Sequence, residues 1–198
     1  MNNCTRSPLL MLDELESPFS PEKHFGRKAP LELEIGAGRG DFLLAHAPRN
    51  PGTDFIGVER SLVIVRRAVS KLERVGVKNA VFVSAEISYL LREYFTPGSF
   101  GAVHIYFPDP WPKQRHVKRR LMQPDNLYLI ASTLRPGGAL HLRTDVEWYF
   151  QAMAGQIAAS GRFAQIEVPP DVAASQTGFE LRFRGQGKPI YAISFRLL

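Results

Sequence analysis

The chain has 198 residues, 44% hydrophobic and 22% charged, proportions that argue against disorder, collagen-like sequence or a membrane span and suit one compact domain. Lys and Arg outnumber Asp and Glu by 25 to 19, and the net charge of +6 attracts polyanions. The single cysteine, Cys4, excludes an internal disulfide framework and a zinc ribbon, and no signal peptide is evident at the N-terminus, so a reducing cytoplasmic setting is expected, with no membrane or metal partner.

Residues 1–29 contain Pro8, Pro18 and Pro21, too closely spaced for a long helix, and are expected to be a poorly structured lead-in to a domain spanning 30–198. Five apolar strands are then predicted at 31–35, 54–59, 80–85, 102–107 and 139–144, separated by helical stretches. In the stretch 61–76, Val65, Ala68, Val69 and Leu72 recur at helical spacing. A helix is predicted from about Glu147, followed by strands at 163–168 and 189–197 with no helix between them. The expected fold is therefore a Rossmann-like α/β domain. Its mainly parallel seven-stranded sheet carries an antiparallel C-terminal pair and helices on both faces. That topology resembles class I methyltransferases and departs from dinucleotide dehydrogenases, whose strands continue in parallel.

Gly36, Gly38 and Gly40 occupy the turn between the first strand and its helix, where glycines admit positive φ and close ligand approach. Asp41 stands where a dinucleotide fingerprint has its third glycine, which disfavours a pyrophosphate. Glu34, before the turn, suits the ammonium of an amino-acid-type ligand, and Glu59, closing the second strand, suits ribose hydroxyls. This pattern favours S-adenosylmethionine over NAD. The competing reading is a tight turn with no ligand.

The segment His104-Ile105-Tyr106-Phe107-Pro108-Asp109-Pro110-Trp111-Pro112-Lys113-Gln114-Arg115-His116-Val117-Lys118-Arg119-Arg120-Leu121 is the most distinctive in the chain. It resembles the FFPDPWxKxRHxKRRL signature of bacterial tRNA (guanine-N7)-methyltransferases, and the similarity extends over about 31–198. Thr144-Asp145 and Thr177-Gly178-Phe179-Glu180 stand at that family's T-D-x-x and T-x-F-E elements. The resemblance implies methylation of the variable-loop guanine of tRNA, position 46 in tRNA numbering, at N7. It implies cofactor contacts by Glu34, Glu59 and Asp109, with Asp109 also the active-site residue. Substrate contacts are implied for Lys113, Asp145 and Thr177 through Glu180. Glu86, beside Ala85, is the nearest counterpart of the family's adenine-side acid, and Gly178 replaces a common Lys.

The residues themselves agree with this. Flanking prolines stiffen the loop that carries Asp109, and Trp111 offers a face for base stacking. Lys113, Arg115, His116, Lys118, Arg119 and Arg120 form a run suited to phosphates. Structural alternatives are a Pro-rich turn for Asp109, a core-edge aromatic for Trp111, a helix cap for Asp145 and a surface pair with Arg182 or Arg184 for Glu180. Rival functions are a non-catalytic RNA-binding module, a nicotinamide oxidoreductase, and a methyltransferase for small molecules or proteins. Monomer and homodimer both stay open.

Overall fold

A computed structural model describes residues 7–198; Cys4 lies outside them. The strands are β1 (Leu9–Leu10), β2 (Leu31–Ile35), β3 (Asp54–Glu59), β4 (Ala80–Ser84), β5 (Phe100–Tyr106), β6 (Leu134–Thr144), β7 (Phe163–Ile166) and β8 (Tyr191–Leu197). The helices are α1 (Pro21–Phe25), α2 (Asp41–His46), α3 (Leu62–Val75), α4 (Ile87–Glu93), α5 (Pro124–Thr133), α6 (Glu147–Ala159), α7 (Pro170–Ala174) and α8 (Gly178–Gly185). They build one sheet in the order β1-β4-β3-β2-β5-β6-β8-β7. Neighbours from β1 to β6 are parallel, while β8 runs antiparallel to both β6 and β7.

The strands alternate between two unlike layers because side chains along a strand point to opposite faces. Leu31, Leu33 and Ile35 of β2, Ile56 and Val58 of β3, Val103 and Ile105 of β5, and Leu140 and Leu142 of β6 enter the larger core, beneath α4, α5 and α6. The opposite face packs Phe55 and Phe82 against Phe42 and Leu43 of α2 and the predicted α3 stripe of Val65, Ala68, Val69 and Leu72. Each fully buried Val or Leu of that stripe contributes about 1.5–3 kcal/mol. On this second face a row of polar residues crosses the sheet in register: Glu34 opposite His104, His104 opposite His141, and His141 opposite Ser194.

Two expectations are corrected. Residues 7–29 are structured: Leu10 is buried, the Phe82 N–H donates to Pro8 O at 2.7 Å, and β1 adds an eighth strand at the edge beside β4. A run of two residues carries no periodicity, so only the tertiary pairing defines this strand. The interval between the last two strands also contains helices, α7 and α8. Pro170 opens α7, and Thr177 caps α8 by accepting from the Glu180 N–H at 3.0 Å.

Candidate active site

Strands β2, β3 and β4 extend to one side of the β2–β5 boundary and β6 to the other, so the chain reverses its winding there. Ligands of open α/β sheets bind outside the carboxyl ends of the strands at such a switch point. Two sequence-predicted elements meet at it. Ile35 pairs with Ile105, so the glycine turn leaving β2 and the Pro-Asp-Pro-Trp loop leaving β5 share this edge.

Gly36, Gly38 and Gly40 have φ of 73°, 52° and 70°. A Cβ at Gly36 would meet nothing within 4 Å, which leaves a ligand room, whereas one at Gly40 would strike Phe82 Cζ at 2.5 Å. Gly40 is therefore required by packing, and Gly36 by backbone conformation. Glu59 holds the turn: its two carboxylate oxygens accept from the Gly38 N–H at 3.3 Å and the Ser61 N–H at 2.9 Å. Glu34 is buried, and its Oε2 has no hydrogen-bond partner among the described residues. Burial, reinforced by Asp41, pushes its pKa well above the usual carboxylate range. A buried acceptor without a donor fits a cationic or N–H-bearing ligand and repels a pyrophosphate. Glu86 is engaged elsewhere, capping α4 by accepting from the Tyr89 N–H at 3.1 Å.

The loop after β5 is clamped at both ends. Phe107 and Trp111 adopt φ of 52° and 42°, conformations that cost a non-glycine residue free energy unless the surroundings impose them. The Phe107 N–H donates to Arg143 O at 2.8 Å, and the Phe107 ring meets Phe179 and Phe183. At the other end Arg120 donates to Pro110 O at 3.0 Å and Trp111 O at 3.1 Å, and its guanidinium lies over Trp148. Arg120, expected among the phosphate-binding cations, is thus a brace for the loop. Asp109 stands exposed between the two clamps, and no hydrogen bond from the described residues engages its carboxylate.

Trp111 is half-buried, with Arg119 over its ring at 5.1 Å and His116 against it edge-on. The indole organises the basic segment, so a base stacks there only by sharing it with Arg119. A 3-10 helix over Gln114–Arg119 leaves Lys113, Arg115, Lys118 and Arg119 exposed.

The C-terminal element differs more from expectation. Glu180 is buried and pairs with Arg143 Nη1 at 2.9 Å and Arg184 Nη2 at 2.8 Å. Arg143 also donates to Ser175 O at 2.7 Å and to Val172 O. The carboxylate of Glu180, expected to contact substrate, here ties α8 to β6 through Arg143. Thr177 is likewise buried in its capping role, while Phe179 is exposed. Asp145 does not cap α6, because Val146 holds the cap position, and its carboxylate makes no hydrogen bond among the described residues. A Cβ at Gly178 would fall 2.4 Å from Asp41 Oδ2, and Lys71 pairs with the other oxygen of Asp41 at 2.5 Å. Lys71 therefore supplies a cation next to the place where the resembled family commonly has Lys.

Two features escaped the sequence reading. Arg39, Arg66, Arg67, Lys71 and Arg74 line a basic groove of about 500 Å³ beside the glycine turn. Its signal was the i, i+4, i+7 spacing of Arg67, Lys71 and Arg74 on the solvent face of α3. A second cavity, of about 270 Å³, is lined by Arg120, Met122, Gln123, Tyr149 and Met153. The Tyr149 hydroxyl is buried there beside the backbone of Leu121 and Met122, and burial pushes its pKa up to about 12.

A family model described as a putative methyltransferase matches residues 28–193. A tRNA (guanine-N(7)-)-methyltransferase of Halorhodospira halophila is 39% identical over 178 residues, covering 87% of this chain and 77% of that protein. One from Nitrosomonas europaea is 37% identical over 185 residues, covering 91% and 82%. Among solved structures, the 16S rRNA methyltransferase KamB superposes with a TM-score of 0.64 at 16% identity, covering 89% of this chain and 91% of that one. At that identity the likeness speaks for the fold alone. Taken with the glycine turn and the Pro-Asp-Pro-Trp loop at one switch point, the sequence matches show that this chain belongs to the family of tRNA (guanine-N(7)-)-methyltransferases.

Proposed function

We propose that the protein transfers the methyl group of S-adenosylmethionine to N7 of a guanine in tRNA, forming 7-methylguanosine, and that this guanine lies in the variable loop. The observation that carries the reading is the unpartnered, buried Glu34 oxygen beside an open glycine turn, one strand away from the clamped loop bearing Asp109.

When bound, S-adenosylmethionine supplies an electrophilic methyl on a sulfonium centre. Glu34 would accept hydrogen bonds from its ammonium, and Glu59, which also holds the turn, would accept from the ribose hydroxyls. Guanine N7 carries a lone pair and no proton, so the protein needs no general base. Its task is placement, and holding two reactants in a near-attack geometry supplies about 7–11 kcal/mol of barrier reduction. Asp109 accepts from the guanine N1–H or amino group and compensates the positive charge that develops on the ring. Rigid clamping of its loop keeps that carboxylate in place without the entropy loss of ordering a mobile one.

The exposed Lys113, Arg115, Lys118 and Arg119 on one side, and the α3 groove on the other, suit two stretches of tRNA backbone. Their phosphate contacts offset the few kcal/mol needed to extrude the target base. The cytoplasm, where tRNA resides, is the matching compartment.

The test is incubation with labelled S-adenosylmethionine and unmodified tRNA, followed by chemical cleavage at 7-methylguanosine. One cut in the variable loop is expected. Label on another base overturns the reading, and tRNA binding without transfer supports a non-catalytic RNA-binding module instead.

A further inference from the structure

On the α2 face of the sheet, away from the Pro-Asp-Pro-Trp loop, three side chains that no step of methyl transfer uses converge. Glu32 lies in β2, His46 ends α2 and His104 lies in β5, and one ligand atom from each falls within 4.8 Å of the others. His104 Nε2 is 2.9 Å and His46 Nε2 3.8 Å from the same oxygen, Glu32 Oε2. From α7, Asp171 brings Oδ2 to 4.0 Å from His46 Nε2. We propose that Glu32, His46 and His104, joined by Asp171, form a binding site for a divalent transition metal ion of the zinc class.

Ligand type and spacing both fit. Two imidazoles and two carboxylates are a usual zinc donor set, and ligand atoms about 2.0–2.1 Å from a tetrahedral ion stand roughly 3.3 Å from one another. The 2.9 and 3.8 Å separations bracket that value, and because the three ligand atoms spread to within 4.8 Å of one another and Asp171 stands 4.0 Å from His46, the side chains draw together around the ion.

Each imidazole is held by its other nitrogen, the arrangement that orients metal-bound histidines. His46 Nδ1 lies 2.9 Å from Ser175 Oγ, and His104 Nδ1 lies 2.8 Å from Tyr106 Oη. Ser175 Oγ already donates its proton to Asp171 O at 3.0 Å, so it accepts from His46 Nδ1–H. That leaves His46 Nε2 with a lone pair facing a carboxylate oxygen, a repulsive contact that a cation between them relieves. Asn50 Nδ2 lies 3.3 Å from His46 Nε2 as a long hydrogen-bond donor, and its shorter bond to His46 O at 3.1 Å holds the amide when an ion takes the ring nitrogen.

Access and rigidity complete the case. Both histidines are buried, whereas the side chains of Glu32 and Asp171 are 22% and 52% exposed and open a path from solvent. Behind the cluster, His141 stacks on His104 at 5.0 Å and bonds Ser194 Oγ at 2.7 Å, which fixes the ring from the far side.

The test uses the full chain, stripped with a chelator and titrated with zinc chloride and then cobalt chloride, without tRNA or S-adenosylmethionine. One equivalent should bind by calorimetry, cobalt should give the strong visible absorption of a four-coordinate site, and Tm should rise roughly 5–10 °C at hundredfold excess over Kd. Glu32→Gln should weaken zinc at least tenfold, Asp171→Asn should weaken it less and change the cobalt spectrum, and His46→Gln should abolish the band. Should His46→Gln fail to fold, the two carboxylate variants decide. No bound equivalent, or identical affinity in the wild type and Glu32→Gln, would overturn the proposal. Methyl transfer assayed in chelator is a separate readout, so this site and the methyl-transfer reading stand or fall independently.

Discussion

Arg143→Met tests the largest departure from the sequence reading. The replacement keeps an unbranched apolar stem but removes a buried guanidinium that donates to Glu180, Ser175 O and Val172 O and lies over the Tyr106 ring at 4.6 Å. Removing one partner of a buried ion pair costs about 3–5 kcal/mol, chiefly because the other charge is left uncompensated. The Ser175 carbonyl, left without a donor, adds about 1 kcal/mol or more, the Val172 carbonyl keeps the Ser175 N–H at 3.1 Å, and Arg184, still paired with Glu180 at 2.8 Å, offsets part of the loss. The net expectation is about 4 kcal/mol. Urea unfolding followed by circular dichroism should show a midpoint lowered by roughly 1.5 M for an m-value near 2.5 kcal/mol/M. Adding Glu180→Gln should restore at least about 1 kcal/mol by removing the stranded charge. A loss below about 1 kcal/mol for Arg143→Met would refute the argument, since the pair would then contribute no more than a surface contact.

Glu34→Gln replaces a buried carboxyl whose ionised form burial disfavours, so the apoprotein should melt at an equal or higher temperature while S-adenosylmethionine affinity falls about 10- to 100-fold, as loss of a charge-assisted acceptor for the ammonium implies; unchanged calorimetric affinity would contradict its role. Replacing Arg115, Lys118 and Arg119 together with Ala should flatten the salt dependence of tRNA binding by roughly 0.7–0.9 for each phosphate that is no longer neutralised, and an unchanged slope in a salt titration would count against a role for these cations on the RNA backbone. His141, buried beside His104, has its pKa pulled down to about 3, so below its ordinary value of 6.5 the unfolded chain takes up a proton that the folded one refuses. Its contribution to stability is therefore complete above pH 6.5 and is lost towards pH 3, by up to about 1.4 kcal/mol per pH unit. Glu32 and Glu34, with raised values, act in the opposite sense as pH rises from 4.5. The clean measurement is a comparison with His141→Gln in chelator, where the wild type should lose stability more steeply between pH 6.5 and 5; parallel profiles would disprove the linkage.

What could be read in advance follows from how local each signal is. The parallel strands stood out because both their faces are buried, and the α3 stripe because Val65, Ala68, Val69 and Leu72 need only their own helix to be recognised. The glycine turn and the Asp109 loop are contiguous in the chain and were equally visible. The buried pairing of Glu180 was not legible because its partner Arg143 is 37 residues away and is covered by a helix pair that short, weakly patterned segments did not announce. The polar row has a subtler cause. Glu32, Glu34, His104, Tyr106, His141 and Arg143 alternate with Leu33, Ile105 and Leu142, a period-two pattern that marks a second inward face. Apolar neighbours made these strands readable, but which polar residues would meet depended on strand order, and no single strand reveals that.

The two-residue strand at Leu9–Leu10 also bears on how the protein should be handled. A parallel sheet whose outermost long strand had naked amide and carbonyl groups would offer a template to neighbouring chains, and such rims are common starting points for aggregation. Pro8, Leu9 and Leu10 occupy that rim beside Phe82 and Val83. A version trimmed by a dozen residues for convenience in expression would uncover this border and is expected to self-associate through it.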